Sequence, residues 1–471
     1  MGWLDVFAKI GDYFPSPPKA ARKPDLKKRL IYTALALVVY FALASTLAFP
    51  LAAIPEAEGV PLPEIINVIF ASSRGSIAQL GIGPLVTAGL IIQILAGAKI
   101  IDLDLTDPAD RKLFTQAEKG MALLIAVVEG LGFAMYYRLP TLITAAIFLQ
   151  FVLGALILII LDEAIQKGWG IGSGVSLFIL GGVARTAIWS MFSPLVVSSE
   201  QANFSQYYGF FPYLIDALSR GTVDTYRLFF GYYNLPQIGV VTLPTVVGLI
   251  TLFALIGVLV YLQQMKVNIP VTMQRLPGIK SKVPLQFLYV TNIPVLLIGI
   301  VVSDLVLIHN LSAGWLQSCC PWLVGGLETV IHYLTIPQTP LILFVDPLRV
   351  AIYSVIFIGL ALLFGLMWIE VAGLGPDAQA ENLVKSGLQM PGHRRNPKLL
   401  RGVLAKYIYP LTILSSIIVG IIAIVGNIFG VYGSGMGILL AVGIINQFYT
   451  QIAYERALET YPLLKKLIGE E

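Results

Sequence analysis

The sequence predicts an all-α integral membrane protein with ten transmembrane helices, and two observations predict it. Hydrophobic residues make up 57% of the chain and charged residues only 12%, about half the charge of an average soluble protein. Such a chain lacks the polar side chains to cover itself in water. Mostly apolar runs of about 20 residues, the length of one helical crossing, recur from Ile31 to Tyr454. In lipid only helices and closed barrels satisfy every backbone polar group, and these unbroken runs lack the period-two alternation of barrel strands, which leaves helices.

In chain order the candidate spans are 30–50, 84–101, 119–138, 141–163, 171–192, 239–263, 285–307, 346–370, 403–428 and 434–454. Lysine and arginine collect in cytoplasmic loops, so Lys19, Arg22, Lys23, Lys27, Lys28 and Arg29 place the N-terminus inside. Alternation then puts 102–118, 164–170, 264–284, 371–402 and the C-terminus on the same side, where Arg111, Lys112, Arg275, Lys280, Lys282, Arg394, Arg395, Lys398 and Arg401 fall. The outside segments 51–83, 193–238 and 308–345 hold only Arg74, Arg220 and Arg227. Five spans per half is an odd number, so the second half enters from the opposite side and the halves can be related by an inverted pseudo-symmetry. No sequence repeat is strong enough to prove duplication.

The organisation read from these spans is a cytoplasmic segment 1–29, an N-terminal half 30–192, an external connection 193–238, a C-terminal half 239–454 and a cytoplasmic tail 455–471. The N-terminal stretch is polar and basic and does not read as a secretory signal peptide. Cys319 and Cys320 are adjacent, and a bridge between neighbours is strained, so no disulfide framework is expected. His309, His332 and His393 lack metal-ligand spacing. No phosphate-binding loop, nucleophile elbow, zinc-protease motif or intramembrane carboxylate pair is visible, so neither catalysis nor a cofactor or metal is expected.

One stretch is not an ordinary span. Ser72-Ser73-Arg74-Gly75-Ser76-Ile77-Ala78-Gln79-Leu80-Gly81-Ile82-Gly83-Pro84-Leu85-Val86-Thr87-Ala88-Gly89 reads as a short half-apolar helix, a break at Gly81, Gly83 and Pro84, then a full helix. Irregular backbone at membrane depth is tolerated only when buried in protein or lining an aqueous cavity, so a cavity is implied. Three further signatures follow in order: Gly168-Trp169-Gly170-Ile171-Gly172-Ser173-Gly174-Val175-Ser176, Asn292-Ile293-Pro294 and Gln389-Met390-Pro391-Gly392-His393-Arg394-Arg395. With these motifs in this order, nearly the whole chain resembles the SecY family, pore subunits of the Sec protein translocase, in its archaeal and eukaryotic branch.

The resemblance implies an hourglass pore between two clamshell-like halves, through which unfolded secretory chains cross the cell membrane and hydrophobic segments leave sideways into lipid. A ring of aliphatic side chains would close it at Ile82, Val86, Val175, Ile179, Leu296 and Leu440, where a narrow apolar throat dewets. A plug of about residues 65–80, including Ile65, Ile69, Arg74, Gly75 and Leu80, would seal it from outside. Thr87, Glu129 and Asn292 would form the lateral gate. Arg275, Lys280 and Lys282 in one loop and Arg394, Arg395, Lys398 and Arg401 in another would dock a ribosome through its RNA, or a motor ATPase. A SecE-type gamma subunit and a small beta subunit are the other implied partners. Each ring residue taken alone is ordinary helix packing, and the basic loops alone are ordinary membrane topology. The rival class is a secondary transporter of small solutes with a broken-helix site at the midplane. Its usual intramembrane charges are here reduced to Glu129 and helix-end groups such as Asp162, Glu163 and Glu370.

Overall fold

The computed structural model describes residues 2–20, 24–51, 71–97, 100–101, 108–137, 139–199, 204–235, 239–273, 276–290, 293–312, 321–336, 338–385, 388–389 and 397–460. The N-terminal half contains α1 (Gly2–Asp12), α2 (Leu26–Ser45), α3 (Gly83–Gly97), α4 (Pro108–Tyr136), α5 (Thr141–Ala164) and α6 (Gly174–Phe192). Two antiparallel hairpins, β1 (Val196–Ser199) with β2 (Phe204–Tyr207) and β3 (Tyr232–Leu235) with β4 (Gly239–Thr242), enclose α7 (Phe210–Arg220) and α8 (Thr225–Phe229). The C-terminal half contains α9 (Val246–Gln264), strands β5 (Lys266–Met273) and β6 (Leu276–Gln286), α10 (Ile293–Ser312), α11 (Pro321–Leu334), α12 (Ile342–Val345), α13 (Pro347–Val371), α14 (Pro376–Lys385), β7 (Leu388–Gln389), α15 (Pro397–Ile428) and α16 (Gly435–Thr460).

Among the described residues eight helices are long and apolar enough to cross a membrane, and the shorter apolar helices Gly83–Ala96 and Ile293–His309 fall at two more of the expected spans. Their outward faces are greasy, with Ile250 and Phe253 each 64% exposed and Val355 73%. Start and stop signals are local. Thr245 Oγ1 accepts the Gly248 N–H at the start of α9, and Asp346 accepts the Arg349 N–H at the start of α13, with Pro347 in the first turn.

Several boundaries differ from the sequence reading. Residues 239–242 pair as β4 instead of opening the sixth span, and residues 285–286 end β6, so the seventh helix starts at Ile293. Residues 46–50 lie beyond the end of α2, and residues 455–460 continue α16 instead of beginning a tail. The basic segment 1–29 holds the helix α1, which lies on α4. A Cβ on Gly120 would sit 2.0 Å from the Phe7 carbonyl oxygen, and one on Gly11 2.1 Å from that of Gln116, so only glycines permit this approach.

The half-apolar helix expected before the break is absent from the described residues 71–82, which form successive turns. Gly81 takes φ +55° and Pro84 occupies the first turn of α3, where its missing N–H costs nothing. The glycine-proline interruption is therefore a helix start, not a kink within a helix.

The segments expected as separate loops at 264–284 and 371–402 join in one sheet of order β6-β5-β7, with Thr272 opposite Gln389 and Met273 opposite Leu388. Ile269, Val290, Ile369, Ala380, Leu400 and Leu404 pack beneath it in a small core of their own. The main core runs through both halves.

Candidate functional site

The helix α6 carries the geometry. Near its start Val175 borders a cavity of about 300 Å³; further along, Gly182 and Thr186 border a second of about 760 Å³. Between them Ile179 is 2% exposed. The two cavities thus open on opposite sides of an apolar seal. Ile82 and Leu440, 0% and 2% exposed, belong to the same buried cluster as Ile179, while Val86, Val175 and Leu296 pack on that cluster and face the smaller cavity. All six expected ring residues thus belong to the main core or pack on it, and three of them also line the smaller cavity.

The smaller cavity lies at the end of the bundle that carries α1 and the β5–β6 hairpin. Glu118, Lys119, Asp162 and Glu163 line it. Glu163 pairs with Lys119 and, at 2.8 Å, with Lys167, and accepts the Ser16 hydroxyl at 3.0 Å. The glycine signature between α5 and α6 explains itself here. Asp162 accepts the Val175 N–H at 2.9 Å, and a Cβ on Gly174 would come within 2.5 Å of the Asp162 Cα. Arg29 Nε donates to the Gly170 carbonyl at 2.9 Å, and Thr33 Oγ1 accepts the Ile171 N–H at 3.0 Å. The same Arg29 pairs at 2.9 Å with Glu455 of α16, joining the two halves at this end.

The larger cavity is walled by Tyr40, Ser72, Ser73, Arg74, Arg185, Trp189 and Tyr208. Residues 71–80, the described part of the expected plug, are anchored beneath it. Ala48 N–H donates to the Gly75 carbonyl at 2.8 Å and Ile77 N–H to that of Thr46 at 3.0 Å, around a bridge between Leu47 and Ser76. Gly75 takes φ +65° and its N–H donates to Gln79 Oε1 at 2.6 Å; Leu80 is 2% exposed. A Cβ on Gly154 of α5 would fall 2.0 Å from the Ile77 carbonyl oxygen, so a bare backbone forms the seat of this segment. Ile65 and Ile69 lie outside the described residues.

Thr87 and Glu129, expected at a lateral opening, are buried in α3 and α4, and Thr87 Oγ1 has no hydrogen-bond partner among the described residues. Asn292 lies outside the described residues. Sequence reasoning missed Asp304, an acid on α10, which packs against α4, the helix of Glu129. An acid inside an otherwise apolar run was the available signal. It also missed Glu118, and Arg227, which is 0% exposed and donates to the carbonyls of Tyr208, at 3.1 Å, and Pro244 while lying 4.9 Å over the Tyr213 ring. Burial brings its guanidinium down to about 10.

Of the basic loop residues, Lys282 is exposed on β6, and Arg401 on α15 is exposed and paired with Asp377 of α14 at 2.9 Å. The backbone of Lys280 lies in β6 and that of Lys398 in α15. Arg275, Arg394 and Arg395 lie outside the described residues. Among the described residues no group of three His, Cys, Asp or Glu side chains is arranged to hold a metal ion.

The family model described as SecY matches residues 76–449. The chain is 45% identical to the protein translocase subunit SecY of Aeropyrum pernix and 44% identical to that of Saccharolobus solfataricus, in each case over 100% of both chains. Among solved structures, one titled "The structure of a protein conducting channel" superposes with a TM-score of 0.76 at 28% identity, over 96% of this chain and 97% of that one. The structure of Sec61 in the canine ribosome-channel complex from the endoplasmic reticulum superposes with a TM-score of 0.73 at 27% identity, with the same coverage.

Proposed function

The chain belongs to the SecY family, and from that premise we infer that it is the protein-conducting subunit of a translocase in the cell membrane, passing unfolded polypeptides between two aqueous funnels. The observation that carries this reading is α6 itself, bordering both cavities with the sealed Ile179 between them. A seal made of aliphatic side chains gives ions and water no hydrogen bonds, yet parts for a polypeptide.

In this reading the eight long helices and two short ones are ten spans in two inverted halves, with α1, both termini and the β5–β6 hairpin in the cytosol. The ring is Ile82, Val86, Val175, Ile179, Leu296 and Leu440, and the turns before α3 form the plug's stem. The lateral opening is the seam where α3 and α4 meet α10 and α13, marked by Thr87, Glu129 and Asn292. An interhelical hydrogen bond in a membrane is worth roughly 0.6–2 kcal/mol, enough to hold such a seam and weak enough for an apolar signal helix to replace. The sheet β6-β5-β7 joins the two basic loops into one docking platform for a ribosome, and a SecE-type and a small beta subunit complete the assembly.

The test is crosslinking of a stalled secretory chain to Val86→Cys and Ile179→Cys in the assembled channel. Crosslinks at both positions are expected. Their absence, together with uptake of a labelled sugar or amino acid by vesicles holding the protein, would favour the small-solute transporter instead.

A further inference from the structure

A third cavity, of about 690 Å³, lies between the cytosolic ends of α9 and α16 and the chain leaving β6. Gln263, Gln286, Asn446, Gln447, Thr450 and Gln451 line it, and no lining residue carries a charge. The cavity beside Val86 differs in kind, since Glu118, Lys119, Asp162 and Glu163 wall it. Four of the six residues share one stripe of α16, because helix positions three and four apart stand on the same face. Gln447 lies two turns beyond Leu440, so the stripe continues from the constriction toward the cytosol. None of the five side-chain amides forms a hydrogen bond to the described residues, so they face the cavity with their donors and acceptors free.

Such a wall makes neither the interhelical hydrogen bonds nor the ion pairs that commonly engage polar side chains of membrane proteins. An uncharged polar surface neither holds nor repels particular side chains of a passing chain. Fixed charges would retard tracts of opposite charge, and an apolar wall would retain greasy ones. The constant features of an unfolded chain are one N–H and one C=O per residue, Pro apart. A primary amide offers two donors and an acceptor of the same strength as those backbone groups.

We propose that this amide wall is a binding surface for the backbone of the unfolded chain as it approaches the constriction, holding it by exchangeable hydrogen bonds that are independent of its sequence. The proposal deepens the channel reading and rests on it.

The test uses the full channel complex in vesicles. A stalled secretory chain should crosslink to Gln447→Cys and Gln451→Cys as well as to Val86→Cys. Crosslinks at 86 without any at 447 or 451 overturn the proposal and leave the channel reading standing; none at any position fails the channel reading itself. Charge supplies the second arm. Gln447→Glu should slow chains carrying a lysine tract and Gln447→Lys those carrying an aspartate tract, each by about two- to fivefold, the range of a solvated ion pair. Slowing that is equal for both tracts in both variants marks Gln447 as a packing residue and overturns the proposal.

Discussion

The carboxylate of Asp162, at the end of α5, accepts the backbone N–H of Val175, at the start of α6, at a distance of 2.9 Å. One acid thereby fixes where α6 begins, and with it the height at which Val175 and Ile179 stand in the wall. Asp162→Ala removes this cap and should destabilise the chain by about 1 kcal/mol and raise its ion leak. Asp162→Asn keeps an acceptor oxygen and should leak less. Conductance across planar bilayers checks the order; equal leak for both variants contradicts the positional role.

The contact between Gly154 and the Ile77 carbonyl leads to a second expectation. A methyl at Gly154 would stand 2.0 Å from that oxygen, far inside contact distance, so Gly154→Ala must lift the turn at Ile77 within the expected plug segment. Ion conductance of the resting channel should rise, while binding of a signal-bearing chain persists. Unchanged conductance means that residues 71–80 do not contribute to the seal.

Much of this arrangement was legible in the sequence. The apolar runs gave the membrane helices because hydropathy is summed locally, and the glycine-rich stretch 168–176 stood out as one of the motifs that carry the family resemblance. What eluded sequence reasoning depends on partners far along the chain. Whether Pro84 kinks a helix or begins one is decided by what lies beneath residues 71–82, namely Thr46, Leu47 and Gly154. The pairing of Thr272 with Gln389 spans more than a hundred residues, and two residues of β7 carry no pattern of their own. Arg227 sits in a polar segment where an arginine is unremarkable, and only the carbonyls of Tyr208 and Pro244 show that it is a buried strut.

Arg227 should tolerate no substitution well. Arg227→Met leaves two buried carbonyls without donors, a loss of about 1–3 kcal/mol for each such group. Lysine cannot bridge both while lying over Tyr213. The folded guanidinium titrates near 10, below its ordinary 12.5, so between those values the unfolded chain binds the extra proton and stability rises with pH. Below pH 10 both states carry the charge. The difference in melting temperature between wild type and Arg227→Met should therefore stay constant from about pH 6 to 9, and a slope within that window would show a different titrating partner.

The pair Arg29–Glu455 joins α2, the first long apolar helix of one half, to α16, the last helix of the other, with side chains 6% and 14% exposed. Breaking a buried pair costs about 3 kcal/mol. Arg29→Met should lower the melting temperature and loosen the halves, and Arg29→Met with Glu455→Met should recover part of the loss. A double variant no more stable than the single one would show that Arg29 acts through the Gly170 carbonyl alone.

Ribosome docking should depend on a competition already present in the platform. Arg401 is held by Asp377 at 2.9 Å, whereas Lys282 stands exposed on β6. A phosphate must win Arg401 from the aspartate but meets no such rival in Asp377→Asn. Binding of ribosomes to vesicles should therefore tighten in Asp377→Asn and weaken in Lys282→Glu and Arg401→Glu. Each lost phosphate contact should flatten the plot of log affinity against log salt by roughly one unit. If Arg401→Glu and Lys282→Glu bind as the wild type does, with the same salt slope, the basic residues serve membrane topology alone, and the docking surface lies elsewhere on the cytosolic face.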